Sequence, residues 1–183
     1  MQRLHQLTTK RTIISEYTEH DLELLVAMER DVDVMHFLDG IVTDLEKNKQ
    51  KHQGFLEYYH EQPGLGVWKT CLRDGTHIGH AVLNRPALSS TGLRTGPVQV
   101  GYTLHKKFWN LGFATELANA MLQYAFNTLE LKSVIAMTSE ENLASSRVME
   151  KIGMTLQGIT NEYFEHELIL YQIERQEWLD FTT

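Results

Sequence analysis

The segment Phe108-Trp109-Asn110-Leu111-Gly112-Phe113-Ala114-Thr115-Glu116 lies between a strand-like run and a helix-like run. Gly112 and Ala114 carry little or no side chain, so backbone N–H groups there can approach a ligand closely. The helix that follows aims its N-terminus at the same place, where free N–H groups and the helix dipole favour an anion such as a pyrophosphate. His105, Lys106 and Lys107 add positive charge just upstream. Small residues ahead of a helix also describe an ordinary tight turn, and the loop alone does not separate the two readings. Neither G-x-x-x-x-G-K-S/T nor G-x-G-x-x-G is present, which disfavours ATP hydrolysis and dinucleotide redox chemistry. A single cysteine, Cys71, permits no internal disulfide and no cysteine-built zinc cage, and its place in a strand-like run reads as inert packing. The nine histidines form no H-x-x-x-H pair on a clear helix face, so no metal site is expected.

The elements that must position this loop are legible from periodicity. A first strand is expected within residues 9–16 around Thr12-Ile13-Ile14. Thr18 with an acid three residues on reads as a helix start, placing a helix over residues 19–30. A second helix is predicted from about Thr43 or Asp44 to Tyr59, with Leu45, His52, Phe55, Leu56 and Tyr59 as its inner stripe and Gln62-Pro63-Gly64 as its stop. Asp74-Gly75 between two β-like runs reads as a hairpin turn. Residues 86–97 form a long loop. Val98, Val100, Tyr102 and Leu104 alternate as a strand, residues 115–128 read as a helix, and residues 133–137 as a short apolar strand; a right-handed crossover makes the two strands parallel. A helix from Asn142 to Ile152, stopped by Gly153, and two last strands at 154–159 and 167–173 follow, with a turn or short helix at 174–181. The order β-α-α-β-β-β-α-β-α-β-β is that of a mixed α/β (α+β) domain: a mostly antiparallel sheet with one parallel pair near its middle, flanked by helices.

Composition narrows the class. A chain of 183 residues favours one domain, residues 1–183, and 42% hydrophobic with 22% charged residues is ordinary for a globular protein. Seventeen Lys plus Arg against 24 Asp plus Glu leave a formal charge of −7, which argues against a general nucleic-acid binder. No apolar run approaches the ~20 residues that span a bilayer. Residues 1–6 have no apolar core of a signal peptide, and with one cysteine this leads to the expectation of a reducing, cytoplasmic setting.

With these residues in view, the chain resembles the GNAT superfamily of acyl-CoA-dependent N-acetyltransferases. More closely, it resembles the RimJ/RimL-like branch, whose named members acetylate N-termini of ribosomal proteins. Trp109, Gly112 and Ala114 occupy the first, fourth and sixth positions of the superfamily signature Gln/Arg-x-x-Gly-x-Gly/Ala. Trp in the first position departs from it, but the run Trp-x-x-Gly-Tyr/Phe-Ala-Thr-Glu marks this branch. Asn142 to Met154 matches the branch pattern N-x-x-S-x-R/K-V-L/M-E-K-L/I-G-F/M, Val100-Gly101-Tyr102 matches the preceding strand, and Thr9-x-Arg11 resembles the usual opening.

The resemblance implies a GNAT fold whose two parallel strands splay, with acetyl-CoA as cosubstrate lying in the gap and no metal. Its pantetheine arm would pair with the backbone of Tyr102, Thr103 and Leu104, and its pyrophosphate with Asn110, Leu111, Gly112, Phe113, Ala114 and Thr115. Arg147 would reach a CoA phosphate or adenine, or else simply face solvent. Asn142 would cap its helix and bond near the pantetheine arm. Ser145 would protonate the leaving thiolate, because Met149 stands where many relatives place a Tyr acid. The strand position of the relatives' base is Gln99, which leaves His80, His105, Glu140, Glu141, Glu162 or bulk water. Trp68, His80, Tyr163 and Phe164 are candidates for the acceptor pocket. The acceptor is an amine: the N-terminal α-amine of a protein, or alternatively a polyamine, amino acid or aminoglycoside, and the chain's acidity would suit a cationic one. A non-catalytic CoA-binding sensor is the alternative outside enzymes. A monomer or homodimer without membrane or nucleic-acid partners is implied.

Overall fold

The computed structural model describes residues 6–38 and 40–182; the opening residues 1–5 read above lie outside this range. Eight strands form one sheet: β1 (Gln6–Thr8), β2 (Thr12–Glu16), β3 (Gly66–Leu72), β4 (His77–Asn84), β5 (Gln99–Leu104), β6 (Ser133–Thr138), β7 (Thr155–Thr160) and β8 (Leu168–Glu174), in the spatial order β1-β2-β3-β4-β5-β6-β8-β7. Six α-helices accompany them among the described residues: α1 (Leu22–Glu29), α2 (Val32–Met35), α3 (Leu45–Glu61), α4 (Phe113–Asn127), α5 (Leu143–Lys151) and α6 (Arg175–Thr182).

All pairings are antiparallel except β5 with β6. That pair shares a single register position, Gln99 opposite Ile135, reinforced by the Ile135 N–H donating to the Val98 carbonyl at 2.9 Å. β6 turns all six of its residues to β8 instead. The sheet is continuous at the start of β5 and open towards Leu104 and Thr138, and this wedge is the fold's main contribution to the site.

The helices follow local rules. Asp44 caps α3 by accepting from the Glu46 N–H at 2.9 Å. Asn142 caps α5 in the same way, from the Ser145 N–H at 3.1 Å. The Asp74-Gly75 turn joins β3 to β4, with Gly75 at φ +88°. α4 buries Leu117, Met121, Leu122 and Phe126 against Ala81, Leu83, Val100, Val134 and Ala136 of the central strands. Each such side chain contributes roughly 1.5–3 kcal/mol, which makes α4 a rigid backing for the loop at its N-terminus. α1 is tied to α3 by the buried Glu29 carboxylate, which accepts from Asn48 and Lys51.

The expected fold class is the observed one, with local differences. β1 and α2 were not expected: three and four residues are too short to show a period. Pairing with β2 creates the first, and Asp31, accepting from the N–H groups of Asp33 at 3.0 Å and Val34 at 3.4 Å, creates the second. Leu45, expected on the inner stripe of α3, is exposed, while Asn48 in the same turn is buried against Glu29 and takes the inward place. Trp68, expected near the acceptor, is fully buried between Tyr59 and Tyr124 and belongs to the core.

Candidate active site

The wedge between β5 and β6 deepens into a cavity of about 570 Å³. Gly101, Tyr102, Thr103 and Leu104 form one wall, and Met137, Thr138 and Ser139 form the other. The start of α4 closes one end. Gly112 is its N-cap at φ +79°, a left-handed conformation that glycine adopts freely, and it offers no capping side chain. The N–H groups of the first turn therefore have no partner within their own helix and point at the cavity end. Asn110 is also left-handed, at φ +58°, which turns the chain sharply before the helix. Trp109 pins this loop to the strand: its indole N–H donates to the Leu104 carbonyl at 2.7 Å.

A second anchor comes from the N-terminal hairpin. Glu116, in the first turn of α4, accepts from the Thr9 hydroxyl at 2.6 Å, the Arg11 backbone N–H at 2.8 Å and the Arg11 Nε at 2.6 Å. Burial alone would raise the Glu116 carboxyl, but the hydrogen bonds from Thr9 and Arg11 outweigh it and hold it below the usual range. Arg11 also donates to the Leu111 carbonyl at 2.8 Å and lies 3.9 Å above the Phe113 ring.

On the far wall, Ala144, Ser145, Arg147, Val148 and Lys151 of α5 face the cavity with their cap, Asn142. The Tyr102 hydroxyl lies 3.2 Å from Ser145 Oγ. Burial pushes the Tyr102 phenol up to about 12, against a smaller downward pull from Ser145. Further lining comes from Val34, Phe37 and Leu38 around α2, and from Phe164 and His166 between β7 and β8. The Phe164 and His166 rings pack 5.8 Å apart.

Of the residues singled out in the sequence, Tyr102, Thr103, Leu104, Asn110, Gly112, Phe113, Ala114, Thr115, Asn142, Ser145 and Arg147 come together on this one cavity. Leu111 does not: its side chain is exposed and its carbonyl is held by Arg11. None of the side chains considered as bases lines the cavity. His80 lies on β4 opposite Thr103, His105 stacks edge-on against His77, and Glu140, Glu141 and Glu162 lie outside the lining. Gln99 does line it and donates to Asn84 Oδ1 at 2.8 Å. Phe164 lines the cavity, whereas Tyr163 does not. The chain's acidity does not reach inside: among the described lining residues Arg147 and Lys151 carry the only fixed charges. His166, Lys151 and the Tyr102 side chain were missed. His166 sits between two strands with no local pattern, and Lys151 became visible only as the residue one turn beyond Arg147 on α5.

No helix among the described residues is long and apolar enough to cross a membrane, and no group of three or more His, Cys, Asp or Glu among them is placed to hold a metal ion.

Residues 11–155 match the profile of the acetyltransferase (GNAT) domain. The chain is 28% identical over 180 residues to the N-acetyltransferase YnaD of Bacillus subtilis, covering 94% of this chain and 98% of that one. It is 30% identical over 167 residues to the FsC-acetyl coenzyme A-N(2)-transacetylase of Aspergillus fumigatus, covering 86% and 71%. A GNAT-family acetyltransferase structure from Bacillus anthracis superposes with a TM-score of 0.73 at 25% identity, covering 93% and 99%. The fold is also that of RimL, a ribosomal L7/L12 α-N-protein acetyltransferase in complex with coenzyme A, with a TM-score of 0.74 at 17% identity over 93% and 98%. A spermidine N-acetyltransferase from Vibrio cholerae in complex with CoA and spermine gives 0.73 at 15% over 92% and 98%. A splayed strand pair ending on a glycine-capped helix, within a domain that matches this profile over most of its length, makes the chain a member of the GNAT family, an acetyl-CoA-dependent N-acetyltransferase.

Proposed function

We propose that the amine acetylated by this chain is the N-terminal α-amine of a protein, as in the RimJ/RimL-like branch, with residues 1–183 acting as one domain in a reducing, cytoplasmic setting. One observation carries the acceptor reading: no carboxylate is found among the described residues that line the cavity, whose fixed charges are both positive. A polyamine or aminoglycoside brings several ammonium groups, and drawing these from water without acidic partners is costly. A protein N-terminus brings one amine, of pKa about 7.7–8.0, on a peptide body. Gln99 and Ser139 offer hydrogen bonds to such a body, and Phe37 and Phe164 offer apolar surface.

In this reading the backbone of Tyr102, Thr103 and Leu104 pairs with the pantetheine arm, and residues 110–115 hold the pyrophosphate with help from Arg147 and Lys151. His166 accepts the amine's proton, being the one imidazole among the described residues that line the cavity. The free amine attacks the thioester carbonyl, whose oxygen takes a backbone N–H near Leu104. The C–S bond then breaks, and Ser145, fixed through Asn142, gives a proton to the departing sulfur.

Thermal unfolding with acetyl-CoA, and with ATP and NAD as controls, tests the donor: at 100 times Kd the expected stabilisation is roughly 2.7 kcal/mol, or roughly 5–10 °C. Thiol release with a short peptide, spermidine and an aminoglycoside then tests the acceptor. Peptide turnover above the other two is expected. Faster turnover of spermidine overturns the acceptor reading and leaves the donor reading intact.

A further inference from the structure

We propose that Tyr102 is the positioning residue that turns the hydroxyl proton of Ser145 towards the leaving sulfur. The two side chains come from different elements, β5 and the first turn of α5, and meet at 3.2 Å on opposite walls of the same cavity. The backbone on both sides is fixed. Tyr102 sits in the β4–β5 ladder opposite Ala81, and the Ser145 N–H is held by Asn142 Oδ1. The contact therefore follows from the framework and not from the freedom of either side chain.

Both groups can donate and accept. A phenol is a stronger acid than an alkyl hydroxyl, so Tyr102 is the donor and Ser145 Oγ the acceptor. Burial keeps the phenol protonated through the working pH range, so the donor is always present. With one lone pair of Oγ engaged, the Ser145 hydrogen is directed away from Tyr102 and into the cavity. An oxygen that accepts one hydrogen bond also donates the next more strongly. Serine alone is a weak acid for a thiolate; serine backed by a phenol is a better one.

This inference rests on the acetyl-transfer reading of the cavity. The step balances as follows. The amine nitrogen forms its bond to the carbonyl carbon, the C–S bond breaks, and its electron pair goes to sulfur. Sulfur takes the Ser145 proton, and Oγ recovers one along the hydrogen bond from Tyr102. The phenol regains its own, through water, from the proton given up by the acetylated nitrogen. Counted from the free amine, one proton has moved from nitrogen to sulfur, and the enzyme is unchanged once His166 passes to solvent the proton it took before the attack.

Tyr102→Phe, Ser145→Ala and the double variant test the proposal, with kcat measured on the best amine of the acceptor screen, or on water as acceptor when no amine is turned over. Acetyl-CoA Kd is measured separately by calorimetry. Phe keeps the ring and its packing, so Tm serves as the check on folding. Tyr102→Phe is expected to lower kcat about thirtyfold with Kd for acetyl-CoA within twofold of the parent, and the double variant to be no slower than Ser145→Ala. Three results would overturn the inference: an unchanged kcat in Tyr102→Phe, single-variant losses that multiply in the double, or a Kd that rises in step with the loss of kcat. A parent chain that binds no acetyl-CoA sinks the site reading and the inference together, whereas those three results sink the inference alone.

Discussion

Arg11 and Glu116, 105 positions apart in sequence, meet with Nε 2.6 Å from Oε2, and through this pair the N-terminal hairpin grips the turn at the start of α4 from outside the cavity. The guanidinium touches the turn twice more, at the Leu111 carbonyl and over the Phe113 ring, so one side chain fixes residues on both sides of Gly112.

Removing this grip acts on ligand binding more than on folding. Arg11 is 38% exposed at its side chain, so the ion pair itself contributes little to stability. Arg11→Ala frees the turn and leaves Glu116 with fewer donors. The expected result is an acetyl-CoA Kd raised about tenfold, equivalent to about 1.4 kcal/mol, with a small change in Tm. Calorimetric titration checks it, and an unchanged Kd would show that the turn keeps its shape without Arg11.

Gly79 sets the spacing of the cavity wall. Its φ is +148°, and a Cβ built there falls 2.0 Å from the Thr103 carbonyl oxygen and 2.8 Å from Leu104 Cα. Both obstacles are backbone, so neither can rotate away. Gly79→Ala is expected to destabilise the fold by roughly 3 kcal/mol, lowering Tm by roughly 6–12 °C. Thermal unfolding reads this directly, and a Tm within a degree or two of the parent contradicts it.

Asn142 joins stability to chemistry. Its side chain accepts from the Ser145 N–H, so Asn142→Ala removes a helix cap worth about 1 kcal/mol. A Tm drop of roughly 2–4 °C is expected, together with a fall in kcat, because the first turn of α5 holds Ser145. Asn142→Asp keeps the cap and should keep the Tm. Loss of stability in both variants would mean that the amide hydrogens of Asn142, and not its oxygen, matter.

Acid sensitivity should come chiefly from His77 and His80, with burial also pushing His52 and His105 down. Burial, then the nearby His105, push His77 down from the usual 6.5 to about 4. Burial, then Lys51, push His80 down to about 3. In both cases the unfolded chain takes up a proton that the folded chain refuses. Stability is therefore fully present above about pH 6.5 and falls as pH drops towards 4, by up to about 1.4 kcal/mol per pH unit for each histidine. The lowered carboxyls of Glu116 and Asp21 add to the loss only at the acid end of that window and below it, as pH falls through their ordinary values. Urea unfolding between pH 7 and 4 measures the slope, and His77→Gln should flatten it. A slope that His77→Gln leaves unaltered would assign the proton uptake elsewhere.

The fold class was readable because its signals are local. Asp44 and Asn142 cap helices through N–H groups two and three residues away, Gly112 and Gly75 meet left-handed turns, and the alternation of Val98 to Leu104 marks a strand whatever lies beside it. The same locality made the glycine-capped start of α4 legible, since a helix N-terminus carries its free N–H groups wherever it is placed.

What tertiary structure decided is which distant side chains share a space. Tyr102 and Ser145 are 43 residues apart, Arg11 and Glu116 are 105 apart, and His166 reaches the cavity from a loop with no periodicity. Strand register placed the Tyr102 phenol towards α5, when its backbone alone had been expected to matter, and sent Trp68 into the core. The departure of β6 from β5 after one shared pair opened the cavity and gave it a positive lining in an acidic protein. Local rules set how each segment folds. Side chains separated by tens of residues meet only after sheet register and helix packing are complete, because no local interaction encodes the direction in which each one points.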